Sequence, residues 1–216
     1  MLFSNGLIPG FSALALLGAL FTGSPAAAQQ IDAKELHTAG PLGDKALGPA
    51  DAPVTVVEYA SMTCPHCADF HHETYPKLKA KYIDTGKVRF IFREYPLDDA
   101  AFAASMLARC SGDDKYFTMI EVLFDQQRNW AIKDQVLPGL RRIAKQAGFT
   151  EQSFEACLKD NNLKQGIYEV AKRGGEKFGV RSTPTVFVNG QRLSGAATIE
   201  EMEKVIEPLL KSAKTN

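Results

Sequence analysis

Two cysteines with two residues between them lie in the stretch whose residue types could carry chemistry, Cys64-Pro65-His66-Cys67. The β-branched run at residues 54–60 precedes them and predicts a buried strand, and residues 68–82 have apolar side chains at helical spacing. Cys64 is therefore expected at the start of a helix, where backbone N–H groups and the helix dipole favour a thiolate. Cys67, three residues on, would lie within disulfide reach. This spacing predicts a redox site.

Length and composition are those of one globular domain, or of one domain that carries an insertion. The chain has 216 residues, of which 45% are hydrophobic and 23% are charged. Its 25 basic residues balance its 25 acidic residues, so nucleic acid or another charged polymer is not an expected partner.

The N-terminal 28 residues contain no Lys, Arg, Asp or Glu, and they include the apolar run at residues 11–21. Ala26 to Ala28 then offer the small residues of a signal-peptidase site. Because the apolar run is shorter than the roughly 20 residues of a membrane span, a cleaved export signal ending at about Ala28 is favoured over an uncleaved anchor. Export predicts an oxidising compartment, in which disulfides persist.

The order of predicted elements divides the rest of the chain. A loose lead-in comes first, and then a strand, a helix that continues to about Asp84 and a second strand, which together form a parallel βαβ unit. Five helices follow, one of them capped by Thr150, before a strand, an Asn189-Gly190 turn, a return strand and a terminal helix. The predicted parts are a signal peptide at 1–28, the lead-in at 29–50, a first half at 51–97, a helical insertion at 98–179 and a second half at 180–216.

This order resembles the thioredoxin fold, and the all-helical insertion resembles that of the DsbA family of periplasmic thiol–disulfide oxidoreductases. Three features carry the resemblance: the C-P-H-C stretch, the Thr183-Pro184 dipeptide before a strand, and Glu58 in the strand that leads to the site. The expected fold class is therefore α/β, a thioredoxin fold with an inserted all-helical sub-domain. The resemblance covers about residues 45 to 213.

The resemblance also implies a role for each site residue. Cys64 would be the nucleophile, with its thiolate stabilised by the helix start and by His66, and Cys67 would be its resolving partner behind Pro65. Pro184 would be cis, and the Thr183 backbone beside it could pair with an extended substrate chain. Glu58 matches an acidic position beneath the active site and would move a proton; the alternative is a surface carboxylate.

A zinc site and a haem-attachment site are the alternative interpretations of a C-x-x-C stretch. A zinc site would need a second pair of ligands, and Cys110 and Cys157 lie singly in separate helical runs. His71 and His72 are expected to face solvent or the domain interface. Haem attachment requires a histidine directly after the second cysteine, where the chain has Ala68. No metal and no other cofactor is therefore expected.

Cys110 and Cys157 lie on apolar helix faces, which is compatible with two buried small side chains. In an exported protein a structural disulfide is favoured, and the resemblance supports it because some alphaproteobacterial DsbA-like proteins carry a second cysteine pair.

The sequence leaves the direction of exchange open. The favoured hypothesis is a monomeric periplasmic oxidase that acts on reduced, unfolded exported proteins and is itself reoxidised by a DsbB-like, quinone-linked membrane partner. The first alternative is an isomerase or reductase of the DsbC, DsbG or ScsC type, because a threonine before the proline also occurs in isomerases. The second is a thioredoxin-fold chaperone whose cysteines are secondary.

Overall fold

The computed structural model describes Met1, residues 31–193 and residues 195–213. The predicted signal peptide, apart from Met1, lies outside these residues. The elements, in chain order, are α1 (Ala33–His37), β1 (Lys45–Leu47), β2 (Val54–Ala60), α2 (Pro65–Glu73), α3 (Tyr75–Leu78), a π-helical turn (Lys79–Ile83), β3 (Val88–Glu94), α4 (Asp99–Cys110), α5 (Tyr116–Asp125), α6 (Gln127–Trp130), α7 (Val136–Gln146), α8 (Glu151–Leu158), α9 (Asn161–Phe178), β4 (Thr185–Val188), β5 (Gln191–Leu193) and α10 (Ile199–Ala213).

The strands form one sheet in the order β1-β3-β2-β4-β5. Strands β2 and β3 are parallel, with Val56 opposite Phe90, which confirms the predicted βαβ unit. The other neighbours are antiparallel, and β4 and β5 are joined at the predicted Asn189-Gly190 turn. Both residues of that turn have positive φ (43° and 85°), as the tight hairpin requires.

Both faces of the sheet are covered, because alternate strand residues pack into different clusters. Val56, Phe90 and Val188 belong to the larger cluster, which includes side chains of α2, α5 and α10. Val57 and Phe187 point to the other face, where they join side chains of α1 and α9. The alternation places Glu58 on the same side of β2 as Val56, since residues two apart in a strand share a face.

The expectation of a loose lead-in is wrong for residues 31–50, which contain α1 and β1. Leu36 of α1 is fully buried against the second face of the sheet. Asp44 accepts two hydrogen bonds of 2.9 Å from the Arg93 guanidinium of β3, which also donates to the Tyr59 hydroxyl. The Asp44–Arg93 pair joins positions that are 49 residues apart, and the Tyr59–Arg93 contact joins positions that are 34 apart; local periodicity indicates neither.

The helix predicted to run from Cys64 to about Asp84 is interrupted. It ends as α2 at Glu73, and α3 begins at Tyr75. Pro76 lies in the first turn of α3, where its missing N–H costs nothing, so the chain restarts a helix there rather than continuing one. The Thr150 cap predicted for α8 is confirmed, since the Thr150 hydroxyl accepts from the Ser153 N–H at 3.1 Å.

Candidate active site

The Cys64-Pro65-His66-Cys67 stretch forms the junction between β2 and α2. Cys64 is the N-cap of α2 and has an extended backbone, and Pro65 occupies the first helical position, for which its fixed φ is suited. The Cys64 carbonyl accepts from the N–H groups of Cys67 (3.1 Å) and Ala68 (3.2 Å), which closes the first turn of the helix. The first cysteine thus lies where the sequence predicts it, at the helix start.

A second chain segment forms the facing wall of the site. The Thr183–Pro184 peptide bond is cis and leads directly into β4. The Cys64 Sγ lies 3.3 Å from the Thr183 carbonyl oxygen, to which the thiol donates. Two stretches separated by 119 residues are therefore in direct contact at the reactive sulfur.

The two thiols have opposite acid–base properties. The pKa of Cys64 is lowered to about 5, despite its partial burial. The main cause is a hydrogen bond from the Cys67 thiol; smaller contributions come from Thr183 and from the backbone N–H groups of Cys67 and His66. Burial, the hydrogen bond to Cys64 and the nearby Glu58 carboxylate raise the pKa of Cys67 well above its usual range. Both cysteines are buried, but Cys64 keeps 8% of its surface exposed and Cys67 none, so the cysteine with the lowered pKa is also the more accessible of the two.

The His66 imidazole is exposed, and its Nδ1 lies 3.7 Å from the Asp69 carboxylate. The contribution of residue 66 to the Cys64 thiolate comes through its backbone N–H. The role predicted for the His66 side chain therefore stays a prediction, although the side chain can form an ion pair with Asp69 when it is protonated.

Glu58 and His71 form a buried pair beneath Cys67. Glu58 has no exposed surface, so the alternative of a surface carboxylate is wrong. His71 is 6% exposed, and its Nε2 lies 3.0 Å from Oε2 of Glu58, so the expectation that it faces solvent is wrong. The alternative, a domain interface, agrees with the structure, since the ring stacks on Phe124 of α5 in the helical insertion. His72, the next residue, is exposed. The helix turns His71 inward because it lies four residues after Cys67, on the same face.

Gln127 of α6 also contributes to the site. Its buried side-chain amide donates to the carbonyls of Met62 (2.8 Å) and Cys64 (3.0 Å), and so it fixes the backbone at the start of α2. No local pattern distinguishes this glutamine from its neighbours, and the sequence gives no signal for its role.

Known proteins resemble this chain in both sequence and structure. The family model described as Thioredoxin matches residues 42–208. The Bacillus subtilis disulfide bond formation protein D is 30% identical over 176 residues, which cover 78% of each chain. The crystal structure of Wolbachia pipientis alpha-DsbA1 superposes with a TM-score of 0.78 at 32% identity, covering 85% of this chain and 98% of that one.

The chain belongs to the DsbA family of thioredoxin-fold proteins. The predicted fold class, a thioredoxin fold with an inserted helical sub-domain, is thereby confirmed. Five Rickettsia proteins that are named as protein-disulfide oxidoreductases are also similar to this chain; the one from Rickettsia bellii is 32% identical over 172 residues. This chain spans between 55% and 66% of the length of these five relatives.

The second cysteine pair of this DsbA-family chain is bonded in the structure. Cys110, at the end of α4, and Cys157, in α8, form a disulfide with a Cα separation of 6.1 Å. Within residues 31–193 and 195–213, no helix is both long enough and apolar enough to cross a bilayer.

Proposed function

We propose that this protein oxidises pairs of thiols in exported proteins through its Cys64–Cys67 disulfide. The observation that carries the proposal is the lowered pKa of Cys64, about 5, at an accessible sulfur whose partner cysteine is buried. A stabilised thiolate favours the reduced form of the protein, and a dithiol that is stable when reduced makes a strongly oxidising disulfide.

The proposed exchange proceeds in two displacements. A substrate thiolate attacks Sγ of Cys64, the bond between Cys64 and Cys67 breaks, and the Cys67 sulfur leaves and takes up a proton. A second substrate thiolate then attacks the substrate sulfur of the mixed disulfide, and Cys64 leaves as a thiolate. The substrate gains a disulfide, and the protein gains the two electrons.

Thr183 and Pro184 are proposed to hold the substrate while this happens. They lie beside the Cys64 sulfur, just before β4, so an extended substrate segment could pair with the Thr183 backbone like an added strand. Glu58 is proposed to exchange the proton that Cys67 gains or loses, because its carboxylate is buried and its charge acts on that thiol.

The setting proposed for the reaction is the periplasm, with a monomeric protein and a DsbB-like, quinone-linked membrane partner that restores the Cys64–Cys67 disulfide. The export signal predicted at residues 1–28 supports this location. The lowered pKa of Cys64 supports the need for such a partner, because a protein that accepts electrons readily requires a stronger oxidant to be regenerated.

Refolding of ribonuclease tests the direction of exchange. The oxidised protein is expected to restore activity to reduced ribonuclease and to give little recovery of the scrambled, fully oxidised form, while migrating as a monomer in solution. Efficient rescue of scrambled ribonuclease by a dimer would contradict the oxidase proposal and favour an isomerase.

We also propose that the Cys110–Cys157 disulfide is structural. It joins α4 to α8 across a sequence separation of 47 residues, and loop closure on that scale corresponds to about 4 kcal/mol of stability. A Cys110→Ala, Cys157→Ala variant is expected to melt roughly 8 to 16 °C lower, since 1 kcal/mol shifts the midpoint of a domain of this size by about 2 to 4 °C. An unchanged melting temperature would contradict a structural role.

A further inference from the structure

The His71 ring lies between the buried Glu58 carboxylate and a groove behind α2. Its Nε2 faces Glu58 at 3.0 Å, while its Nδ1 is buried and has no hydrogen-bond partner among the described residues. Phe124 stacks on the ring at a centroid distance of 4.3 Å, and Tyr75 lies at 4.9 Å. These aromatic contacts hold the ring in one orientation.

The groove, here called the α2 groove, has a volume of about 620 Å³, and His71 forms part of its wall. Charged or titratable side chains from α2, α3, α5, the π-helical turn and the residue after that turn also line the groove: His72, Tyr75, Lys79, Asp84, Glu121 and Asp125. Lys79 and Asp84 are paired with each other at 2.7 Å. The His71 side chain thus contacts Glu58 on one side and borders the groove on another, with Nδ1 itself buried; the groove lining combines the apolar surface of Val122 and Pro76 with these charged groups.

The reaction in which Cys67 resolves a mixed disulfide requires a path for a proton between the Cys67 thiol and solvent. When Cys67 attacks a mixed disulfide on Cys64, its thiol must lose a proton, and when the disulfide is reduced, Cys67 must gain one. Cys67 is fully buried, and Glu58, the carboxylate whose charge acts on it, is equally buried. A proton held by Glu58 therefore needs a further group to reach solvent.

We propose that His71 is the positioning residue that passes this proton between Glu58 and the α2 groove. A histidine suits the task because one ring nitrogen can accept a proton while the other releases one. When a mixed disulfide on Cys64 is resolved, the proton of Cys67 moves to Glu58, from Glu58 to Nε2, and from Nδ1 to a water that enters from the groove as its wall opens. The Cys67 sulfur then attacks Sγ of Cys64, the Cys64–Cys67 bond forms, and the bond from Cys64 to the partner sulfur breaks so that the partner leaves as a thiolate. This inference rests on the proposed exchange function.

The reaction of the reduced, full-length protein with excess dithiobis(nitrobenzoate) separates the two thiols. Cys64 attacks first and releases one thionitrobenzoate, at a rate that depends on reagent concentration. Cys67 then resolves the mixed disulfide and releases the second, at a rate that does not. Stopped-flow absorbance across the pH range records both phases, so the first phase reports the integrity of Cys64 in every variant.

His71→Gln and His71→Leu are the informative variants, and His72→Gln is the matched control on the adjacent, exposed residue. Glutamine can still donate a hydrogen bond to Glu58 but cannot relay a proton. Both His71 variants are expected to slow the second phase by roughly 100-fold near neutral pH, a common magnitude for lost proton transfer. The rate of the second phase in both His71 variants should also become proportional to hydroxide concentration. The rate of their first phase should equal that of the unaltered protein. In His72→Gln, both phases should have the rates of the unaltered protein.

A second phase of normal rate and pH profile in His71→Gln would overturn the proposal, because it would show that the hydrogen bond alone suffices. Heavy water provides a check on the unaltered protein: it should slow the second phase more than the first, and equal slowing would contradict a relay. The exchange function has its own test in the same experiment. If the unaltered protein lacks a second phase whose rate is independent of reagent concentration, Cys67 does not resolve the mixed disulfide and the proposed exchange function fails. Failure of the relay alone would leave that phase present and unchanged in His71→Gln.

Discussion

Replacing Cys64 with serine is expected to reduce thiol–disulfide exchange to the rate seen without protein, and replacing Cys67 with serine is expected to trap substrate on the protein. The difference arises because Cys64 is the partly exposed, ionised sulfur that partners reach, whereas Cys67 is buried and serves to release them. In Cys67→Ser, the Cys64 thiolate attacks a disulfide of an oxidised substrate protein, one substrate sulfur leaves as a thiolate, and no Cys67 thiol remains to release the mixed disulfide. Non-reducing electrophoresis of each variant after incubation with such an oxidised substrate measures the trapped species.

The matched control for these substitutions is the Cys110→Ala, Cys157→Ala variant, which loses the other cysteine pair and is expected to retain exchange at permissive temperature. Full exchange by Cys64→Ser would contradict the assignment of the nucleophile. It would favour instead a thioredoxin-fold chaperone whose cysteines are secondary.

Arg109→Met is expected to destabilise the protein by about 3 to 5 kcal/mol, the range for breaking a buried ion pair by removing one partner. Glu94, at the end of β3, is fully buried and accepts from Arg109 Nε (2.6 Å) and Nη2 (2.9 Å) and from the Tyr116 hydroxyl (2.6 Å). Arg109 lies on α4 and Tyr116 on α5, so the network joins the helical insertion to the sheet. Urea unfolding measures the loss.

Arg141→Met is the control for the same change of side chain at an exposed ion pair with Glu151, where less than about 1 kcal/mol is expected. The double variant Glu94→Leu, Arg109→Met should lose less stability than the sum of its single changes, because no buried charge is left unpaired. Strict additivity would contradict the proposed coupling.

Local signals in the sequence predict most of the framework that positions the site. The start of α2 at Cys64, the cap at Thr150 and the turn at Asn189-Gly190 each depend on a few adjacent residues, and the structure contains all three. The contact between Cys64 and Thr183 is long-range. The resemblance to a family predicts that Thr183 belongs to the site, and no local pattern does.

The buried pair beneath the site shows where interpretation of polarity fails. Glu58 shares a strand face with Val56, and His71 lies on the helical stripe that includes Cys67 and Leu78, so spacing alone would have placed both side chains inward. Polarity alone favours solvent exposure for His71, whereas for Glu58 the family resemblance already indicates a position beneath the site and exposure is only the alternative. A polar residue on an apolar stripe next to a redox motif is better interpreted as a buried functional group.

Long-range polar contacts account for the remaining differences. Asp44 orders residues before β2 because it pairs with Arg93, and Gln127 fixes the Cys64 carbonyl from a short helix that the sequence does not predict. Neither contact has a signature in the spacing of neighbouring residues, since each depends on the packed arrangement of segments distant in the chain.

Equilibration of the Cys64–Cys67 pair with glutathione buffers tests the central claim most directly. A thiol pKa of about 5 lies between those of DsbA, about 3.5, and thioredoxin, about 7. The potentials of those proteins, about −120 mV and about −270 mV, then predict a value between roughly −120 and −200 mV. A measured potential near that of thioredoxin, at or below about −250 mV, would contradict an oxidising role for this site.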